Sequence, residues 1–309
     1  VSAAGTSVTA NSGTDAITFT LSGLTYTGTY VGAGTNDIAS LATSANIAGA
    51  TLTNVTNLTV ATGGSVTMTA AQNNAFTNTI VGGGTETIVI SGDGAVTTLA
   101  NIEVYTIGDD TTNARTVTAS AAGTSVTATT ANDAITFGIS GLTYTGTLTG
   151  EASVADILSV TGTSNISGGT IGAGIVSLTT AASSNTTMTA AQNNAFTGTI
   201  TAGGSETITI SGDGNLTTRT GIATYSIGDD SSNTRLVVVS SAGTSVTANS
   251  GTDAVTFTLS DSLTYTGTLT GEASVADVLS VSGASSISGA TISTGVVDLI
   301  AATGSNTTM

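Results

Sequence analysis

Hydrophobic side chains along this chain recur at every second position, in short bursts, and almost never at the three-and-four spacing of a helix. Thr87-Ile88-Val89-Ile90, Ala134-Ile135-Thr136-Phe137, Ile157-Leu158-Ser159-Val160 and Thr207-Ile208-Thr209-Ile210 show the alternation. A period of two sets one face of a strand against a core and leaves the other outside. Between the bursts stand clusters of Gly, Asn, Asp and Ser, which form turns. The pattern predicts an all-β chain of short strands. The one helical stretch is Thr69 to Phe76, where Ala70, Ala71 and Gln72 follow a threonine suited to capping.

The pattern itself repeats. Ala3 to Ala10 returns as Ala121 to Ala128 and, with one Ala become Ser, as Ser241 to Ala248; Met68 to Phe76 returns as Met188 to Phe196. The copies run 1–118, 119–238 and 239–309, with no Pro-rich or charged linker, so a continuous stack is expected. The chain stops in mid-repeat at Met309, and the natural protein is expected to continue past both ends of this sequence. The bursts at Ile135, Leu158, Ile208 and Val255 lie 23, 50 and 47 residues apart. These are close to one, two and two steps of about 24, so each copy should hold about five coils. The expectation is a β-solenoid (β-helix) of about 24 residues per coil, with equivalent strands stacked in ladders. The alternative is a row of tandem β-sandwich modules. Composition favours the solenoid: aromatic residues are 4%, Trp and Pro are absent, and a core of Val, Ile, Leu, Ala and Thr methyls would underfill a two-sheet sandwich.

Charge narrows the function. Nineteen acids face only Arg115, Arg219 and Arg235, with no Lys or His, for a net charge of −16. Nucleic-acid binding needs basic side chains against phosphates and is excluded. No apolar run is long enough for membrane insertion. Without Cys there are no disulfides, zinc thiolates or thiol chemistry. Without His, Cys or Lys the usual nucleophile-and-base pairs cannot be built, so the chain is not expected to be an enzyme.

The site-like signal is a set of acids that recur in register. Asp15, Asp133 and Asp253 share one repeat position, and Asp37, Asp156 and Asp277 another; Glu86 and Glu206, Asp93 and Asp213, and the pairs Asp109-Asp110 and Asp229-Asp230 follow suit. Carboxylates at stacked turns offer the oxygen ligands that calcium takes. The candidate calcium ligands are Asp109, Asp110, Asp229, Asp230, Asp37, Asp156 and Asp277. Two other readings compete with calcium: turn formation through the acids' own backbone, and salt bridges from Asp109-Asp110 and Asp229-Asp230 to Arg115 and Arg235. In the Met-Thr-Ala-Ala-Gln-Asn-Asn-Ala-Phe block, Phe76 and Phe196 are expected to plug the core with Gln and Asn outward. Tyr26, Tyr144 and Tyr265 read as strand residues.

Gly83-Gly84-Thr85-Glu86-Thr87-Ile88, Gly203-Gly204-Ser205-Glu206-Thr207-Ile208 and Gly32-Ala33-Gly34-Thr35-Asn36-Asp37-Ile38 resemble degenerate forms of the Gly-rich, Asp-bearing nonapeptide of RTX calcium-binding proteins. The whole chain is similar to the Thr- and Gly-rich β-strand repeats of very large bacterial surface proteins, including adhesins and surface-layer proteins exported by type I secretion. That resemblance implies an extracellular, often calcium-dependent, β-rich architecture. The functional expectation is a structural repeat region of a filament, sheath or surface layer at the bacterial cell surface, with other copies of itself as partner. The alternative is the stalk of a large calcium-dependent adhesin presenting a separate binding domain, with a cell-surface glycan as a further candidate partner.

Overall fold

The computed structural model describes residues 1–309 apart from 12, 35, 109–113, 130–132, 229–233, 250–251, 303–304, 306 and 309. The fold is all-β, a β-solenoid of about 13 turns with roughly 21 residues per turn. The described strand pairs are parallel, each strand lying beside its counterpart one turn away. Sandwich modules pair their strands antiparallel, so this pairing sets that alternative aside.

The chain divides into two compact units, one formed by 1–139, 145–157 and 169–175, the other by 140–144, 158–168 and 176–309. In the first, Val66, Ile88, Tyr105, Val126 and Leu148 form one inward column, in steps of 22, 17, 21 and 22 residues. In the second, Thr186, Ile208, Tyr225, Val246 and Leu269 do the same, in steps of 22, 17, 21 and 23. All ten are at most 1% exposed. Another sheet in each unit carries a buried column of its own: Phe19, Ala39 and Leu58 in the first, Val237, Phe257 and Leu279 in the second.

The turn is therefore shorter than the 24 residues read from sequence. The cause is plain in the pairing. Ile135 and Val255 belong to the sheets that carry Arg115 and Arg235, whereas Ile208 pairs with Thr186 and Tyr225 on another sheet. Spacings taken across two faces of a coil add part of a turn and stretch the apparent period.

The core also holds more than aliphatic side chains. All six Tyr and all five Phe are buried, none more than 3% exposed. A few rings placed once per several turns widen a core otherwise built of Val, Ile and Leu.

Two short helices interrupt the coils: α1 (Ala70–Ala75) and α2 (Ala190–Ala195). Each follows a strand and starts with a capping box. Thr69 Oγ1 accepts from the Gln72 backbone N–H at 3.2 Å, and Gln72 Oε1 accepts from the Thr69 backbone N–H at 2.8 Å. A helix of six residues has no stability of its own, and α1 is pegged to the turns on either side. Gln72 Nε2 donates to the carbonyls of Ile47 (2.6 Å) and Ala50 (2.7 Å), while Asn73 and Asn74 donate to those of Thr97 (2.8 Å) and Ala95 (2.9 Å). In α2, Gln192, Asn193 and Asn194 repeat the arrangement on Ile166, Thr217 and Asn215. Phe76 and Phe196 do plug the core. The amides, however, turn inward: Asn73 and Asn193 are fully buried and Gln72 nearly so. Where the chain leaves the strand ladder its neighbours' carbonyls lose their partners, and buried amides replace them. Among the described residues no helix is long and apolar enough to cross a membrane.

Candidate functional site

The recurring acids do converge on one device, repeated at separate turns. Asp37, Asp156 and Asp277 each open a strand and are 0% exposed. One carboxylate oxygen reaches back a full turn: Oδ1 accepts from the backbone N–H of Ile17 (2.6 Å), Ile135 (2.7 Å) or Val255 (2.7 Å) respectively. The other closes the acid's own loop: Oδ2 accepts from Gly34 (3.0 Å), Glu151 (2.7 Å) or Glu272 (2.7 Å). Each acid thus staples a loop to the preceding coil. Glycine makes room for it, because a Cβ at Gly32, Gly150 or Gly271 would stand 2.2, 2.3 or 2.5 Å from Oδ2.

Glu86 and Glu206 do the same in the Gly-rich stretches, and both are fully buried. Glu86 accepts from Gly83 (2.6 Å) and Gly84 (3.0 Å), and Glu206 from Gly204 (2.7 Å) and, in the following coil, Ala223 (2.6 Å). The Gly-rich loop folds around its own carboxylate.

The electrostatics follow from this competition between burial and N–H donors. At Asp37 burial pushes the carboxyl up, but donors from Gly34, Ile17 and Ala33 outweigh it and hold the group below its ordinary value. At Asp156 burial wins over two donors, with the charge of Glu151 adding to it, and the carboxyl is raised.

A calcium shell needs about six to eight oxygens. Around Asp37, Asp156 and Asp277 the structure places N–H groups, which suit a carboxylate and not a cation. Among the described residues no three of His, Cys, Asp or Glu come together in a group that could hold a metal ion. Asp109, Asp110, Asp229 and Asp230, the other candidates, lie outside the described residues. Asp15, Asp93 and Asp213 sit exposed in turns, and Asp133 and Asp253 are half-buried.

The arginines are also put to structural use. Arg115 and Arg235 are 2% and 1% exposed, and each guanidinium binds carbonyls of two loops: Gly108 (3.2 Å) and Gly92 for Arg115, Gly228 (3.1 Å) and Gly212 for Arg235. Arg219 binds the carbonyls of Asn193 and Asn194 at the end of α2. Beside it lies an open cavity of about 290 Å³ lined by Phe196, Thr218, Arg219 and Ser240.

Three sets of polar residues escaped the sequence reading. The buried amides of the helical block were signalled only by its invariance between copies. Asn57, whose side chain donates to the Asp37 carbonyl at 3.2 Å, carried no signal. Glu103 did carry one, since the second copy has Ala223 in its place. Glu103 forms a hydrogen-bonded carboxyl pair with Glu86: burial and that bond raise Glu103, while Glu86, also desolvated, is held down to about 2 by donors from Gly84, Glu103, Gly83 and Thr85. A proton on Glu103 donated to the Glu86 carboxylate accounts for both. The raised group stabilises the fold when protonated, and that contribution fades as pH rises through its folded value. The depressed Glu86 stabilises above the ordinary Glu value of 4.5 and loses its contribution as pH falls toward 2. We expect amide protection over 86–90 to weaken as pH rises from 4.5 toward neutral, and Glu103→Gln to flatten that slope. A profile unchanged by the substitution would show that the pair carries no shared proton.

Comparison with known proteins finds no matching family model, no matching curated protein and no matching solved structure.

Proposed function

We propose that this chain is the structural repeat region of an extracellular bacterial filament, sheath or surface layer, and that copies assemble through β-strand stacking. One observation carries the reading: buried apolar side chains recur in register from turn to turn, as in Ile208, Tyr225 and Val246. Asp156, Asp277 and Arg235 are absorbed in the same task, each fastening one coil to the next. In such an array the repeated element is length itself, whereas a catalytic site is a unique break in a repeat. Parallel ladders also present backbone N–H and C=O groups at their last strands, which pair readily with further strands.

Electron microscopy of the purified chain over a range of concentrations tests this. Ordered filaments or sheets that persist in high salt are the expected result, because strand pairing and apolar stacking are insensitive to screening. A strictly monomeric particle at high concentration would refute assembly through stacking.

A further inference from the structure

One surface of the second unit has a regularity that neither packing nor assembly requires. Its long parallel sheet runs through the strands Asn185–Thr189, Thr207–Ser211, Thr224–Ile227, Ser245–Ala248, Thr268–Thr270 and Thr291–Ile292. The inward side chains form the buried column already described. The outward ones form two ranks. Thr187, Thr209, Ser226, Thr247 and Thr270 stand opposite one another in unbroken register, and the second rank, two residues away, opens with Asn185, whose Oδ1 accepts from the Thr209 hydroxyl at 3.2 Å, and continues through Thr207, Thr224, Ser245, Thr268 and Thr291. Every member but Asn185 bears a hydroxyl and none bears a charge, in a chain whose net charge is −16. The described register of this sheet has no shift, whereas the sheets carrying Asp37 and Asp277 each have one. In the first unit the equivalent ranks are interrupted by Val89 and Val104.

The geometry is a lattice. Outward residues repeat at about 6.6 Å along a strand and at about 4.8 Å between strands. Threonine is stiff at χ1, and the sheet behind these residues is anchored by side chains with no exposure, so the hydroxyls stand in fixed positions. Each hydroxyl is one donor and two acceptors, with a methyl beside it in the Thr positions. Water lying over such a surface is held at sites repeating in two directions, as the oxygen rows on a face of crystalline ice repeat.

We propose that this two-rank hydroxyl face of the second unit binds ice. The alternatives fit less well. A charged partner would find no charge on the face. A polysaccharide would find no ring to stack on, since every Tyr and Phe lies in the core. A second copy of the face would oppose hydroxyls to hydroxyls with no set of fixed donors against fixed acceptors.

The test uses the whole chain and reads ice recrystallisation and thermal hysteresis. The unaltered protein is expected to inhibit recrystallisation and to show hysteresis. Thr247→Tyr, which plants a ring in the middle of the lattice, should abolish both, whereas Thr258→Tyr, facing outward on another sheet of the same unit, should abolish neither. Circular dichroism and melting of each variant report whether the fold is kept. Should Thr247→Tyr fail to fold, the pair Thr209→Val and Thr247→Val removes hydroxyls at nearly constant volume and should still lower the activity. An inactive parent protein, an equal loss in Thr258→Tyr, or retention on crystalline cellulose without any effect on ice would each overturn the proposal.

Discussion

Replacing Asp156 with alanine is expected to open the coil it staples, at a cost of about 1–3 kcal/mol for the buried donor left without an acceptor and a smaller loss for the part-buried one. The donors are the N–H groups of Ile135, one turn back, and of Glu151, in the loop before the strand. No lysine or arginine balances this carboxylate, so its stability rests on those donors. In a repeat array the loss is felt locally first. Amide exchange should accelerate at Ile135 and Glu151 before distant turns change. Gly150→Ala attacks the same corner from the other side, because its Cβ would stand 2.3 Å from Oδ2. The two substitutions disable one staple, so their combined effect should fall short of their sum. Wild-type exchange rates at both amides in Asp156→Ala would show that the staple is dispensable.

Asn193→Leu is expected to be comparably damaging. Asn193 sits fully buried between α2 and the following turns, giving a hydrogen bond to the Thr217 carbonyl (2.8 Å) and accepting one from the Tyr225 hydroxyl (2.9 Å). Leucine takes the donor from the Thr217 carbonyl and the acceptor from the Tyr225 hydroxyl, at about 1–3 kcal/mol for each lost bond. The Tyr225 hydroxyl keeps one contact, since it accepts from the Arg219 backbone N–H at 3.0 Å. Tyr225→Phe removes both of the hydroxyl's hydrogen bonds, at about 1 kcal/mol each, but leaves the Asn193 amide on the Thr217 carbonyl, so it should be the milder of the two. Denaturant titration of the two variants checks the order. A Tyr225→Phe variant weaker than Asn193→Leu would mean that the ring's hydroxyl, and not the amide, organises the corner.

These two positions also show what was legible in the sequence. The alternation in Thr207-Ile208-Thr209-Ile210 carries the strand, its inward face and its outward face, because period two is a local property of the backbone. The Thr69 cap and the short helix after it were legible for the same reason. Turn length was not. It depends on which bursts share a sheet, and Ile135 and Ile208 look alike in sequence while lying on different faces. The recurring acids were visible as a pattern, but whether a carboxylate faces a cation or a backbone N–H is decided by coils some twenty residues away, as with Ile135 and Asp156. Gln72, Asn73 and Asn193 were placed outside because polar amides usually are. Their inward turn follows from carbonyls orphaned at the ends of ladders, which no local pattern records.

The stacking itself is open to a direct measurement, made simple by a chain with no native cysteine. Thr209 and Ser226 face outward side by side on neighbouring turns, although seventeen residues separate them. Parallel neighbours about 4.8 Å apart fall within the Cα separation of about 4.4–6.8 Å that a disulfide spans. With Thr209→Cys and Ser226→Cys combined, mild oxidation should give an intramolecular disulfide in nearly every molecule while the β-sheet spectrum is unchanged. Thiols that stay free under the same conditions, or a bond that forms only as the sheet is lost, would contradict the coiled register on which the account stands.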